Sequence, residues 1–313
     1  MRIRIQIQRV AAIARLSAVD IVRQPVFLLF VVTCTSLTTL LPLLLVHQFG
    51  EEGKMVRDSA LAFHFIFGLA VTSFAAGTTL AREVALGTAA TVLSKPVSRD
   101  AFFLAKFLGI AAVALVFSIC QSMATHISHV VALASRHHRY LLAAPLIPAL
   151  GLCVAGLINY TTRRPFVSSA FLCTAGALAI AFGGLAFAHP AAMEWRLVPA
   201  NALIAAALVV LSGILISLST RLRIVPATAI GTALLFVGLV SDFAVGRFAD
   251  SSIFAYLLYV VIPNWQHFWV TDGLSGGGVV PWSYVGQVVV YAALYLAGTL
   301  SLGIIAFRFA DAA

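Results

Sequence analysis

Charge is what this chain has least of. Only 10% of its 313 residues are Asp, Glu, Lys or Arg, and just 11 are acidic. Hydrophobic residues make up 61%, and mean hydropathy is +1.03. A soluble domain of this length cannot hide so much apolar surface in one core. Cysteine is scarce as well. Cys34, Cys120, Cys153 and Cys173 fall in apolar stretches without a CxxC pair, which leaves no disulfide framework and reads as buried, inert thiols. The shortage of acids leaves a net charge of +9. The basic residues are scattered among short loops, so the balance points to membrane orientation and not to nucleic acid. A P-loop G-x-x-x-x-G-K-[ST] is missing, so the chain hydrolyses no nucleotide by such a loop of its own. No polar stretch is long enough to compose a soluble domain.

What the chain has instead is a series of long apolar runs. Runs of about 20 residues read as membrane-spanning helices. They fall at roughly 25–46, 59–80, 102–124, 141–160, 165–188, 200–220, 224–246 and 284–307. The expected fold is therefore an all-α integral membrane protein, a polytopic bundle of about eight transmembrane helices. A shorter piece, 253–262, is too short to cross. It reads as interfacial or re-entrant, within an outer segment spanning 247–283. Residues 1–24 form a separate N-terminal unit ahead of the membrane-embedded body 25–313. In it Val10, Ile13, Leu16 and Ile21 follow a helical rhythm punctuated by Arg9, Arg15 and Arg23, so residues 9–23 are expected to lie as an amphipathic helix in the interface. Arginines before a first run long enough to span do not make a cleavable signal peptide. Pro25 starts that run, where a missing amide costs nothing.

Lysine and arginine fix the orientation. With the N-terminus inside, fourteen of the twenty basic residues fall in inner segments, from Arg2 to Arg308. Lys54, Arg57, Arg136, Arg139, Arg196 and Arg247 fall outside. That is the bias expected of cytoplasmic loops, so both termini are placed on the cytoplasmic side. In 263–283, Trp265, Trp269 and Trp282 suit the headgroup region.

Several motifs fail on context. "GLSGG" at 273–277 matches G-x-S-x-G without a strand-to-helix elbow and reads as a flexible outer loop. "NYT" at 159–161 matches a glycosylation sequon on the inner face, where it is not used. His126, His129, His137 and His138 cluster after the third run. His126 and His129 share a helical face, but no carboxylate or cysteine accompanies them in that loop, so they read as interfacial histidines and no metal site is assigned. Span interiors hold almost no ionisable group: His64 is the main one, with Lys106 and Asp242 near ends. A charge at the bilayer centre costs about 2.5–3.5 kcal/mol and usually marks an ion or proton path, so this scarcity counts against proton-coupled transport. The hydroxyl-rich first run has helix packing as its ordinary use. Its alternative is a substrate path lined by Thr35, Ser36, Thr38 and Thr39.

The segment "AREVALGTAATVLSKPVSRD", residues 81–100, is different because its parts agree. Arg82 and Glu83 stand where the second span ends. Gly87 and Thr88 offer a bend and a capping hydroxyl. Thr91 to Leu93 continue a short, partly apolar helix that Pro96 stops, and Ser98 can cap the helix after it. Arg99 and Lys106 mark the base of the third span. Such a helix across a membrane mouth can act as a lever for a soluble partner; an ordinary positive-inside loop is the bland alternative.

"REVALGTAATVLSKPVSRDAFFLAKFLG" resembles the cytoplasmic signature of the ABC type-2 transporter permeases, the membrane subunits of many bacterial ABC exporters. The likeness rests on Glu83, on Gly87 and Thr88, on Leu93, Ser94, Lys95, Pro96, Val97, Ser98 and Arg99, and on Lys106 to Gly109; by the resemblance Arg82 and Glu83 would sit at the gate end of the second span. The stretch "AAIARLSAVDIVRQPVF" is similar to that family's interfacial helix. "LSTRLRIVPATAIGTALLFVGLVSD" and the closing "IPNWQHFWVTDGL…AFRFAD" look like its later spans and outer re-entrant segment. The resemblance implies a coupling loop at 81–101 whose helix docks on a separate ABC ATPase subunit. It also implies a second permease chain as dimer partner, and a place in the bacterial inner membrane among its lipids. ATP and magnesium would be bound by the ATPase, with no cofactor in this chain. Ala85 and Leu86 stand where relatives often carry charge, and Ala105 where glycine is common. The family norm is six spans, with 141–188 as the apparent extra pair. The competing expectation is a membrane anchor or scaffold subunit of a non-transport envelope complex, using the same loop but moving no cargo.

Overall fold

The computed structural model describes residues 2–45, 52–81, 98–134, 143–248 and 252–309. Among them every regular element is helical. They are α1 (Arg2–Val22), α2 (Pro25–Leu44), α3 (Glu52–Ala76, continued by a π-turn Gly77–Ala81), α4 (Arg99–Ala134), α5 (Ala143–Thr162), α6 (Phe166–Ala188), α7 (Leu197–Leu218), α8 (Ile224–Leu239), the single-turn α9 (Ser241–Ala244), α10 (Ile253–Val261) and α11 (Trp282–Arg308). Seven of these are long and apolar enough to cross a membrane. The count is eight if the bent pair 224–239 and 241–248 is one span. The chain is an all-α polytopic membrane protein.

α4 is the axis of the bundle, and α1, α2, α3, α6, α7 and α11 all pack on it. Its 36 residues rise about 54 Å at ~1.5 Å each, against a hydrocarbon core of about 30 Å. The expected third span, 102–124, covers only its apolar centre. The helix runs on to Ala134 with its buried hydroxyls bonded: that of Thr125 donates to Gln121 O at 2.9 Å, and that of Ser128 to Thr38 O at 2.7 Å. His126 and His129 are thereby buried helix residues, not loop residues. His137, His138, Arg136 and Arg139 lie outside the described residues.

α1 begins at Arg2, earlier than the expected 9–23, and crosses the base of α4. Gly109 makes that crossing close, since a β-carbon there would fall 2.8 Å from Ala14 O and from Ser17 Cβ. Without a hydrophobic drive between helices in lipid, such shape-matched contacts carry the association. Ile21 is fully buried beneath α1.

α5 and α6 form a hairpin that packs mainly on itself, touching α2 and α4 along one side. Only 22% of each apolar window is buried in the bundle, against 67% for α4 and α7. The turn between them uses Arg163 in the left-handed region, φ 58°, and the Asn159 amide donates to Arg164 O at 2.6 Å. The sequon asparagine thus braces the turn that follows α5. Cys153 is exposed on this hairpin and Cys173 half-buried, unlike the buried Cys34 and Cys120.

The expected straight span 224–246 is not what forms. α8 stops at Leu239, and the following segment turns away by 66°. Ser241 Oγ donates to Gly238 O at 2.9 Å, and Gln266 Nε2 donates to Leu239 O at 2.8 Å. These bonds occupy carbonyls that the broken ladder frees. Asp242 Oδ1 then accepts from Tyr259 Oη and Asn264 Nδ2, both at 2.6 Å, and Tyr291 Oη accepts from Asn264 N at 3.0 Å. The break, α10 and α11 are therefore tied to one another. Trp265 is not a headgroup residue. It is fully buried, packs on Phe65 and Phe268, and donates to Leu234 O at 3.2 Å. Trp282 is exposed. "GLSGG" lies in the 3-10 turn Asp272–Gly277, with no strand beside it among the described residues.

Candidate functional site

The mouth between α3 and α4 is where the sequence concentrates its signal. Arg82, Glu83, Gly87, Thr88, Leu93, Ser94, Lys95, Pro96 and Val97 lie outside the described residues. What is described is how the two sides of that mouth are anchored. On the α3 side the helix widens into its π-turn, where the hydroxyls of Thr78 and Thr79 donate back to Phe74 O at 2.9 Å and Ala75 O at 2.6 Å. Gly77 lies under the Ile224 side chain at the start of α8.

On the α4 side Ser98 is the cap, its Oγ accepting from Ala101 N at 3.2 Å, as a serine ahead of a helix should. The next two residues form a reciprocal clasp with the end of α11. Arg99 Nη1 donates to Arg308 O at 3.0 Å. The Arg308 guanidinium in turn grips both oxygens of the Asp100 carboxylate, Nε to Oδ1 at 2.7 Å and Nη2 to Oδ2. Both partners are substantially exposed, so the clasp fixes geometry more than it adds stability. Below it Phe307 stacks on Phe102 and tilts against Phe103, with centroids 6.2 and 6.0 Å apart. Lys106 is buried one turn further in, its Nζ 5.4 Å from the Phe102 ring centroid, within cation–π range. The base of α4 is thus held by α1 on one side and α11 on the other. Of the predicted set, Ser98, Arg99 and Lys106 belong to this base. Sequence patterning assigns no part to Asp100 and no partner to the closing Arg308.

The hydroxyl row of α2 faces α4. Thr35, Thr38 and Thr39 are fully buried, whereas Ser36 lies on a half-exposed flank. Thr35 donates to Val31 O at 2.8 Å, and Thr39 to Thr35 O at 2.9 Å. Thr38 accepts from Gln121 Nε2 at 2.5 Å. The row therefore meets a neighbouring helix through Gln121, a residue that hydropathy alone does not single out. A single amide inside an apolar run is the available signal, because an unmatched amide in hydrocarbon is costly.

His64 finds a comparable partner. Its Nδ1 lies 3.1 Å from Asn201 Oδ1, with both side chains buried. Asn201 Nδ2 donates to Leu197 O at 3.0 Å, which fixes the amide's orientation. His64 Nδ1 must then carry a proton. Nε2 has no partner among the described residues. The ring also meets Phe117 edge-on at 5.8 Å. This is an oriented histidine joining α3 to α7.

At the far end of the bundle, Arg57 donates to Asp58 Oδ1 at 2.8 Å and to Leu274 O at 3.1 Å. Beside it Glu194 is gripped by Arg196. That bond holds the Glu194 carboxyl below its ordinary value and raises the Arg196 guanidinium. His126 packs on Phe182 and Trp195, with centroids 5.5 and 6.4 Å away. Among the described residues no group of three or more metal-ligating side chains gathers.

No family model, curated protein or solved structure matches this chain.

Proposed function

We propose that the chain is the permease subunit of an ATP-driven ABC exporter of the type-2 permease family. It pairs with a second permease chain and is driven by a separate ATPase that binds ATP and magnesium. The observation that carries this reading is the motif at residues 82–109, which follows α3 in the chain and ends in the capped, clasped base of α4. Two further features support it. The span interiors are poor in charge, which suits a transporter powered from outside the bilayer better than one powered by protons. The base of α4 is joined to α1 and α11, so a push delivered at Ser98 reaches three helices at once instead of dissipating in a loop. The 81–101 segment acts as the handle, and both termini lie at the cytoplasmic face of a bacterial inner membrane. The substrate path lies among the membrane helices.

The test is purification from native membranes in mild detergent, followed by identification and reconstitution of whatever copurifies. An ATPase with its own P-loop, whose turnover depends on this chain, is the expected result. Scrambling Lys95 to Arg99 should abolish that association while the chain still inserts. Copurification with structural proteins alone, or an ATPase complex indifferent to the scramble, would replace the permease reading with that of a scaffold.

A further inference from the structure

Between α1 and α6, on the membrane face that carries α1, lies an apolar groove of about 290 Å³. Val19 and Val22 form one wall, Phe171 and Leu172 the other, and Arg23 and Ser168 are its polar members. Leu172 is 67% exposed, so the groove opens sideways to the surroundings of the bundle, which here are lipid tails. Its head end is basic. Arg23 closes α1 at the mouth, and the α5–α6 turn that leads into α6 presents Arg163 and Arg164, all three exposed. None of these arginines pairs with a carboxylate among the described residues. Asp20, exposed on α1, is the carboxylate nearest in sequence to Arg23, and it makes no ion pair among the described residues either.

Arg163 stands at a position where the backbone would favour another residue. Its φ of 58° makes it the only non-glycine with positive φ among the described residues. Glycine or asparagine is the usual occupant at such a helix end. Phe171 and Leu172 sit seven and eight residues beyond Arg164, about 10–12 Å along α6. The basic end therefore lies at headgroup depth when the apolar walls lie at acyl-chain depth.

We propose that this groove binds one anionic phospholipid. Its phosphate is drawn to the guanidinium groups of Arg23, Arg163 and Arg164, and the upper part of one acyl chain lies against Val19, Val22, Phe171 and Leu172. Arginine suits the phosphate because its fork of donors matches the oxygens. A zwitterionic lipid offers the same chain but adds a cation to a site already carrying three. The groove commits to a lipid and not to a protein helix because charge and grease are arranged in headgroup-to-tail order. The proposal stands apart from the exporter reading.

The experiment compares phosphatidylglycerol with phosphatidylcholine of identical chains, titrated into the delipidated, purified chain in detergent and read by native mass spectrometry. Each basic residue near an anionic lipid is worth about fivefold in partitioning, so three opposed by Asp20 give an expected preference of at least tenfold for phosphatidylglycerol. The R23Q/R163Q/R164Q variant should lose that preference and keep its binding of phosphatidylcholine. Leu172→Trp, which fills the groove and keeps the charges, should weaken both lipids. All four positions are exposed, and thermal midpoints confirm that each variant is folded. Equal binding of the two lipids by the unaltered chain would overturn the proposal. So would a preference that survives the triple substitution, or binding that Leu172→Trp leaves unchanged.

Discussion

Gly238→Ala tests how the broken span is seated. A β-carbon at Gly238 falls 2.5 Å from Trp265 Cδ1 and 2.7 Å from Trp265 Nε1, and also collides with the carbonyl oxygen of Pro263. Ordinary contact begins near 3.4 Å, so the indole must retreat by roughly 0.7–0.9 Å, and the 263–265 backbone must move as well. Trp265 has little freedom to move. It is fully buried, pinned by Phe65 and Phe268, and its Nε1 is bonded to Leu234 O. Overpacking of this kind costs about 1–3 kcal/mol. Alanine regains at most about 1 kcal/mol of helix propensity over glycine, and less so near the last residue of α8. The net expectation is a loss of about 1–2 kcal/mol. Gly286→Ala on α11 is the matched control, since nothing lies within 4 Å of its added carbon. It should gain about 0.5–1 kcal/mol from propensity alone. Reversible unfolding in mixed micelles separates the two substitutions. If Gly238→Ala proves as stable as Gly286→Ala, the close seat of residues 263–268 against α8 is wrong.

Asn201→Leu should cost about 1–2 kcal/mol, because it strands a buried His64 N–H without an acceptor. Adding His64→Phe should restore part of that loss, and strictly additive losses in the double-mutant cycle would dismiss the pair. Acid sensitivity is expected at the Arg196-bound Glu194, whose carboxyl titrates below its ordinary 4.5. Its contribution is complete above about that pH and disappears as pH falls through the lower folded value. Solvent screening keeps it well under 1 kcal/mol. The unfolding midpoints of the parent and Glu194→Gln chains should therefore differ slightly at pH 7 and converge in acid, and a gap that widens in acid would contradict the assignment.

Composition and run length are enough to reveal the class and nearly every helix, because a bilayer admits few alternatives. The failures share a cause. Hydropathy describes residues singly, whereas the ends and breaks of helices depend on partners. α4 outruns its apolar centre with Thr125 and Ser128 bonded to carbonyls. α8 breaks because Ser241, Gln266 and the Asp242–Tyr259–Asn264 network take up what a straight helix would have kept. Nothing in a hydropathy profile shows that Trp265 is a core residue and Trp282 an exposed one. Of the mouth, sequence identifies Ser98, Arg99 and Lys106. The clasp between Asp100 and Arg308 joins positions 208 apart, a pairing that one sequence alone does not disclose.

The distribution of polar pairs separates the helices into two sets. Bonds from Gln121 and Ser128 to Thr38 tie α4 to α2, His64 and Asn201 tie α3 to α7, and Cys34 Sγ, donating to Phe63 O at 3.6 Å, joins the two pairs. Ser217 adds α11 by donating to Thr299 O at 3.1 Å, and Trp265 binds the outer segment to α8. In hydrocarbon such bonds select partners, since an unmatched polar group finds no water to replace them. No side-chain hydrogen bond among the described residues joins the α5–α6 hairpin to the rest; the bond from Asn159 to Arg164 O lies within the hairpin itself. The hairpin is therefore attached by shape, along one side, to a bundle whose polar bonds close without it. Setting it aside leaves α2, α3, α4, α7, the bent α8–α9 and α11 as spans, which is six. Six is the norm of the family that the exporter reading invokes, so on that reading α5 and α6 are an addition to the transport core. The lipid groove between α1 and α6 would then lie on the seam where that addition meets the core.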